Sequence, residues 1–126
     1  MSKQTLAVLP HQFSIYSLDA DATIPPHVFQ APIYFIGKTN EELSLVLPDT
    51  VSISADISDE GWKALEVLGP LELSMVGIMA EIGNVLATAK ISIFVVSTFE
   101  TDYFLVKSQD LDNAIAALVQ DGYKVV

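Results

Sequence analysis

The spacing of apolar residues between positions 62 and 126 constrains the fold more than any other feature of the sequence. Short runs rich in Val, Ile, Tyr and Phe alternate with two stretches in which apolar residues recur every three to four positions. The first pattern favours β-strands, and the second favours amphipathic α-helices. The predicted order is strand, helix, strand, strand, helix, strand.

The first predicted helix lies between Ser74 and Lys90. Ser74 offers an N-cap hydroxyl, and Lys90 places a positive charge at the negative end of the helix dipole. A strand over residues 62–68 precedes the helix and ends at Gly69-Pro70. The apolar positions of this helix of about four turns are Met75, Ile78, Met79, Ile82, Val85, Leu86 and Ala89.

The remaining elements follow closely along the chain. Residues 91–96 and 103–106 are β-branched or aromatic runs, separated by a short polar link, and are expected to form a hairpin or to be close neighbours in the sheet. A second helix is predicted between Ser108, as N-cap, and Gly122, as stop signal. Residues 123–126 then form the last strand.

This order predicts an α+β fold of the ferredoxin-like βαββαβ type, with a four-stranded antiparallel sheet and both helices on one face. Apolar residues that point to the other face then require cover from a second domain or subunit. Residues 1–60 contain four strand-like runs, at 6–9, 13–18, 33–36 and 43–47, with breaks that include Pro10. Several prolines leave room only for a short turn at 28–30.

The first half is therefore interpreted as a degenerate, strand-rich copy of the same unit. The predicted domains are residues 1–60 and 61–126, joined at the polar stretch 54–61. The amino terminus lacks the layout of a signal peptide, and no apolar run approaches the roughly 18 residues of a spanning helix. A cytoplasmic location is expected.

Charge and composition exclude several classes of function. The chain has six lysines, no arginine, sixteen acidic residues and a net charge of −10. Without arginine the bidentate recognition of phosphate or guanine is missing, and the negative charge disfavours nucleic acid and anionic membranes as partners. The absence of cysteine excludes disulfides, thiolate catalysis and cysteine-bound metals.

Two segments of the second half resemble a known family. They are GPLELSMVGIMA, residues 69–80, and ISIFVVSTFETDYFLV, residues 91–106. With their Ser-Thr-Phe-x-x-Asp pattern they resemble small tandem ACT-domain proteins related to the CASTOR-type cytosolic arginine sensor. Weaker similarity lies at residues 15–19, 42–46 and 61–62. The resemblance implies two ACT-like domains and an amino acid bound at an ACT–ACT interface. A homodimer, assembled through sheet edges or helix faces, is expected.

The resemblance also implies a set of ligand-binding residues in two groups. The first group surrounds the start of the first helix, and the second lies in the hairpin link. The sensor has an acidic residue where this chain has Met75, so a small or apolar amino acid is as plausible a ligand as a cationic one. The implied residues are Met75, Val76, Gly77, Ile78, Thr98, Phe99 and Asp102.

The chemistry of these residues fits an amino acid independently of the family. A zwitterion needs donors for its carboxylate, which unpaired N–H groups at a helix start supply, and an anion for its ammonium, which Asp102 supplies. Gly77 permits close approach of a ligand, Thr98 offers a hydroxyl and Phe99 an apolar wall. The alternative interpretations are tight helix packing at Gly77, and ordinary core or turn roles for Phe99 and Asp102.

Catalytic and metal sites are not predicted. His11 and His27 lack partners at ligand spacing, and Asp19-Ala-Asp21 departs from a calcium loop because its sixth position is Ile24. No nucleophile or phosphate-loop motif is present, and no cofactor is expected. The leading hypothesis is a non-enzymatic amino-acid sensor. The alternatives are an ACT-fold assembly module without a ligand and, more remotely, an enzyme that uses either histidine.

Overall fold

The computed structural model describes residues 3–69 and 76–126. Within this range the elements from residue 57 onwards follow in the predicted βαββαβ order. Short 3₁₀ helices occupy Pro26–Gln30 and Ser108–Asp110. The strands are β1 Thr5–Leu18, β2 Phe35–Lys38, β3 Leu43–Pro48, β4 Ile57–Gly69, β5 Phe94–Ser97, β6 Asp102–Lys107 and β7 Lys124–Val125, and the helices are α1 Ile78–Thr88 and α2 Leu111–Gln120.

Contacts between residues divide the chain into two compact units. One unit combines Met1–Pro10 with Lys63–Val126, and the other is His11–Trp62. Strands β1 and β4 each contribute residues to both units. These bounds differ from the predicted domains 1–60 and 61–126. That domain division stays a prediction, because a compact unit of the folded chain need not be a segment that folds by itself.

The sheet of the unit that contains Lys63–Val126 includes a strand from the start of the chain. The β5–β6 hairpin is antiparallel, as predicted. Strand β7, however, pairs in parallel with β1, and β1 in turn neighbours β4. The N–H of Val126 donates to the carbonyl oxygen of Leu6 at 2.8 Å, and the N–H of Val8 donates to the main-chain oxygen of Val126 at 2.9 Å. The expected four-stranded antiparallel sheet is therefore corrected to a mixed sheet that β1 completes.

Both helices cover one face of this sheet, as predicted. Alternate residues of the strands point to that face and form a buried core with the inner stripes of α1 and α2. On the opposite face Ala64 and Leu105 are also buried, in agreement with the expectation that this face needs cover. The core consists of Leu6, Leu65, Val67, Ile82, Leu86, Ile91, Phe104, Val106, Ala114, Leu118 and Tyr123.

The helix boundaries differ from prediction in instructive ways. The predicted N-cap Ser74 lies outside the described residues, and α1 begins only at Ile78 with Gly77 as its N-cap. Ser108 is not the N-cap residue of α2, because it begins a 3₁₀ turn and Asp110 occupies the N-cap position. The stop at Gly122 is confirmed, since this residue takes a positive φ of 99° directly after the helix.

The unit His11–Trp62 is an antiparallel arrangement without an α-helix in its described residues. Strand β3 pairs with β1 from Phe13↔Pro48 to Leu18↔Leu43, and with β2 on its other side. One face packs on the predicted short turn, which is the 3₁₀ helix Pro26–Gln30. The core of this unit is Tyr16, Val28, Leu43, Leu45 and Leu47.

Two predicted strand boundaries are wrong, the end of a strand at Pro10 and the start of a strand at Trp62. Strand β1 continues through Pro10, and β4 begins at Ile57 rather than at Trp62. Proline has a φ compatible with extended backbone and lacks only the N–H donor. Neither the β7 pairing nor the β3 pairing of β1 uses Pro10. In β4, Gly61 accommodates a positive φ of 80° within the strand.

Candidate functional site

The β5–β6 hairpin presents the second group of predicted site residues. Ser97 and Asp102 are the last cross-strand pair, so Phe99 and Glu100 form the tip. The N–H of Thr98 donates to the carbonyl of Thr101 at 2.8 Å. The hydroxyl oxygen of Thr98 accepts the N–H of Thr101 at 3.2 Å. The side chain of Thr98 is therefore used in closing the turn.

Two contacts fix this hairpin beside the end of β4. The buried hydroxyl of Thr101 donates to the carbonyl of Val67. One residue earlier in β4, Glu66 forms a side-chain hydrogen bond with Tyr103. The pKa of Tyr103 is raised above its ordinary value, mainly by burial and also by Glu66. The start of β6 thus lies beside the last residues of β4.

The start of α1 lies at the same end of the sheet. Strand β5 is antiparallel to β6, which begins where β4 ends, so β4 and β5 run in the same direction. Helix α1 connects the end of β4 to the start of β5 and therefore begins at the end where the hairpin turns. The topology brings Val76, Gly77 and Ile78 to the end of the unit that carries Asp102. Met75 lies outside the described residues.

Gly77 has a conformational role. It takes a left-handed φ of 81° at the N-cap, where a Cβ would meet no atom of the described residues within 4 Å. The alternative of tight helix packing at this glycine is therefore wrong. Residues other than glycine rarely adopt this backbone conformation. The glycine at position 77 therefore sets the direction in which the chain enters α1.

The first turn of α1 has N–H groups that no described side chain caps. The first helical bond runs from the N–H of Glu81 to the carbonyl of Gly77 at 2.8 Å. The N–H groups of residues 78–80 come before this first helical hydrogen bond and point out of the start of the helix.

Asp102 has a partner that the sequence analysis missed. The hydroxyl of Ser97 donates to Oδ1 of the half-buried Asp102 at 2.7 Å. The sequence spacing could have indicated this pair. When the tip of a hairpin is two residues long, residues five positions apart, such as Ser97 and Asp102, face each other across the two strands. Ser97 thereby orients one carboxylate oxygen.

The apolar members of the predicted site differ in burial. Phe99 is 76% exposed at the hairpin tip and Val76 is 91% exposed before α1. Ile78 packs against the core. Phe99 thus has no ordinary core role in this chain. The role of these residues in binding a ligand stays a prediction.

Two open grooves lie away from these residues. One of about 490 Å³ separates α1 from α2 and is lined by Asn84, Thr88 and Gln120, among others. The other, of about 470 Å³, lies beside His27, whose Nε2 is 2.9 Å from the carbonyl oxygen of Ser52. In the portion of the chain described, no three His, Asp or Glu side chains gather as a metal site.

No helix within residues 3–69 and 76–126 is long and apolar enough to cross a membrane.

Comparison with solved structures supports the fold. A protein from Agobacterium tumefaciens matches with 31% identity and a TM-score of 0.89, covering 100% of this chain and 94% of that one. A Vibrio cholerae protein of unknown function, described as a possible transport protein, matches at 16% identity and TM-score 0.71, covering 94% and 89%. The regulatory subunit of aspartate kinase from Thermus thermophilus matches at 12% identity and TM-score 0.68, covering 95% and 98%.

The family model that matches this chain covers residues 57–120, from the first residue of β4 to the last residue of α2. It therefore includes the hairpin, the start of α1 and every described residue of the predicted site. This match extends over half of the sequence and includes the first five elements of the observed βαββαβ order. The chain belongs to the ACT domain family.

Proposed function

We propose that this protein is a non-enzymatic regulatory protein that binds a small amino acid at an ACT–ACT interface. The observation that carries the proposal is the position of Asp102, held by Ser97, at the end of the sheet where α1 begins with N–H groups that no described side chain caps. An anion and a set of donors at one end match the two charges of a zwitterion.

The proposed binding mode assigns each pole of the ligand to one group of residues. The ammonium binds the carboxylate of Asp102, and the carboxylate binds the N–H groups at residues 78–80. The positive end of the helix dipole favours the carboxylate there. Both interactions are charge-assisted hydrogen bonds, which are stronger than neutral ones.

The proposal includes a homodimer and a cytoplasmic location. Val76 and Phe99 are exposed in the single chain, so the site described here is one wall of a pocket. A second ACT unit supplies the opposite wall and excludes water from the ligand. The Ser-Thr-Phe-x-x-Asp segment, residues 97–102, supports a closer relationship with the CASTOR-type arginine sensor, and the strand-rich residues 1–60 are the proposed degenerate ACT domain.

Isothermal titration of the ligand-stripped protein with the twenty amino acids tests the proposal. At least one amino acid is expected to bind, and Asp102→Asn is expected to weaken its binding at least tenfold. The asparagine keeps an acceptor for Ser97 but loses the charge. Asp112→Asn is the matched control, because Asp112 is an exposed carboxylate in the first turn of α2. Absence of binding by every amino acid would refute the proposal.

An assembly module without a ligand is the second candidate. It is favoured by the exposure of Leu68, Val76 and Phe99, since apolar side chains of this kind are often covered by another subunit. Native mass spectrometry of the purified protein separates the two candidates. A dimer whose mass equals two chains, and which Asp102→Asn leaves intact, supports assembly alone, whereas an additional amino-acid mass supports the sensor.

A further inference from the structure

We infer that two copies of this chain associate through the outer edge of β5, with the two strands antiparallel about a twofold axis at Val95. This interface rests on the homodimer of the proposed function and adds the surface through which the two copies meet. It requires no assumption about the ligand. Its basis is the position of β5 in the sheet, the chemistry of the outer strands, and the charges at the two ends of β5.

Strand β5 has one hydrogen-bonded neighbour in the part of the sheet that the structure describes. It pairs with β6 along residues 94–97 and stands at the end of the strand order. The N–H of Thr98 donates to the carbonyl oxygen of Thr101 at 2.8 Å. In an antiparallel pair, successive residues point their backbone groups alternately toward the partner strand and away from it. Val95 and Ser97 therefore direct their N–H and C=O groups outward, where no described strand pairs with them.

The other outer strands of the described sheet carry features that protect an edge, whereas β5 does not. Strand β2 ends in the exposed Lys38, and β7 is two residues long and begins with the exposed Lys124. Lysine side chains and very short strands disfavour pairing with another chain. Residues 91–99 contain no charged residue and no proline, and the side chains of residues 94–96 are half-buried. Such an edge is a template for a further strand.

A twofold axis at Val95 suits both the backbone and the side chains of β5. The Val95 residues of the two copies face each other, and because their backbone groups point outward, they exchange two hydrogen bonds. Phe94 then faces the partner's Val96. Cross-strand pairs of an aromatic and a β-branched residue stabilise a sheet. Both side chains are only half-buried in the single chain, so this contact removes further apolar surface from water.

The charges beside β5 indicate a second copy as the partner and an antiparallel direction. Lys90 and Glu100 are exposed, lie five positions before and after Val95, and make no ion pair with a described residue. Antiparallel pairing about Val95 brings Lys90 of each copy to the end of the interface that carries the partner's Glu100, whereas parallel pairing would bring like charges together. Because the chain has a net charge of −10, two copies repel each other over much of their surface. The uncharged strip between these opposite charges avoids that repulsion.

Sedimentation equilibrium of the full chain tests the interface. The native chain is expected to be a dimer. Val95→Pro is expected to weaken dimerisation at least about tenfold, because proline removes the N–H donor at the centre of the interface in both copies. The hairpin itself should be retained, since proline is tolerated in an edge strand where the N–H points away from the neighbouring strand. Circular dichroism checks that the fold is kept.

Ile36→Pro is the matched control at another edge. Ile36 lies in β2, three positions before Thr39, whose N–H donates across the β2–β3 turn to Glu42 at 2.9 Å. Val95 lies three positions before Thr98 in the same relation, so the N–H of Ile36 also points outward. We expect Ile36→Pro to leave the dimer unchanged.

Charge reversal tests the antiparallel arrangement without altering the backbone. Lys90→Glu and Glu100→Lys each place like charges at both ends of the interface, and each is expected to weaken dimerisation about tenfold at low salt. The double variant Lys90→Glu/Glu100→Lys restores opposite charges and is expected to dimerise within about twofold of the native chain. A local effect on α1 or on the hairpin would not be repaired by the second substitution.

The outcomes separate this interface from the rest of the proposed function. Equal weakening of the dimer by Val95→Pro and Ile36→Pro overturns it, and so does a double charge reversal that fails to restore dimerisation. If Val95→Pro does not fold, the charge-reversal series decides. A monomeric native chain overturns both this interface and the proposed homodimer. The binding of an amino acid is decided separately, by the titration of the native chain and Asp102→Asn.

Discussion

Both α-helices end in the same backbone motif, but with different residues at its left-handed position. After α2, Gly122 takes a φ of 99°, and the N–H of Tyr123 donates to the carbonyl of Leu118 at 3.0 Å. After α1, Lys90 takes a φ of 63° in the equivalent position, followed by a bond of 3.0 Å from Ile91 to Leu86. A side chain with a Cβ is strained in this conformation, whereas glycine is not.

Lys90→Gly is therefore expected to raise the free energy of unfolding by about 0.5–1 kcal/mol. Gly122→Ala is expected to lower it by about 1–2 kcal/mol, because alanine pays the conformational cost that glycine avoids. Its Cβ would meet Lys3 at an ordinary 3.7 Å, so crowding is not the cause. Urea unfolding measures both changes, and a loss of stability in Lys90→Gly would contradict the explanation.

Tyr123 is a second residue whose chemistry affects stability. Its ring is in the core, and its hydroxyl is buried with no hydrogen-bond partner in the described residues. Burial is the main cause that raises its pKa above the ordinary 10.0, opposed by the charge of Lys3. Because the folded state holds this proton more tightly than the unfolded state, stability is retained below pH 10 and lost as the pH rises above it.

Tyr123→Phe is expected to be at least as stable as the native protein at pH 7, with a gain of up to about 1 kcal/mol, since it removes an unsatisfied buried hydroxyl. Above pH 10 the variant is expected to lose less stability than the native protein. The variant is still expected to lose some stability at alkaline pH, because the hydrogen bond to Asp121 also raises the pKa of Lys3. Thermal unfolding between pH 7 and 11 measures this, and a less stable variant at pH 7 would contradict it.

At the scale of elements, the β5–β6 hairpin was largely predictable and its anchorage was not. Alternating apolar residues and a polar link predict two strands and a turn. The bond from Thr101 to the carbonyl of Val67 joins residues 34 positions apart, and no local pattern indicates it. Similarly, helical spacing predicted α1, but its start at Ile78 depends on the φ of Gly77, which spacing does not encode.

Thr101→Val is expected to lower the free energy of unfolding by about 1–3 kcal/mol, because it leaves the carbonyl of Val67 without this donor in a buried setting. Valine keeps the shape and the strand preference of threonine. Thr88→Val, on the exposed surface of α1, is the control and is expected to change stability by less than about 0.5 kcal/mol. Equal effects of the two substitutions in urea unfolding would argue against a role for this bond.

At the scale of the whole molecule, the unexpected feature is the participation of β1 in the unit that the family model matches. The βαββαβ order was predictable, because each of its elements is defined by local spacing. The parallel pairing of Leu6 with Val125 connects distant parts of the chain, and the apolar alternation of residues 6–9 suits several sheet positions equally well. For the same reason the burial of Leu6 in the helix-covered core was not predictable.

A fragment of residues 57–126 is therefore expected to be largely unfolded, although it contains all the elements of the βαββαβ order. Within the full chain, Leu6→Ala is expected to lower the free energy of unfolding by about 2–5 kcal/mol, as for a fully buried leucine. Leu9→Ala is the milder control, because Leu9 is half-buried. Far-ultraviolet circular dichroism and urea unfolding measure these effects. A fragment as stable as the full chain would contradict the assignment of β1 to this unit.

The pairing of β1 with β7 also affects the order of events on the ribosome. Leu6 is synthesised early, but its partner Val125 is added 119 residues later. Until then, this edge of β1 cannot pair with β7. Because the pairing joins residues so far apart in the chain, it is expected to form more slowly than local contacts. A nascent chain arrested before residue 124 should accordingly be more sensitive to protease than one that carries a long polar linker appended after Val126, in which β7 has left the exit tunnel.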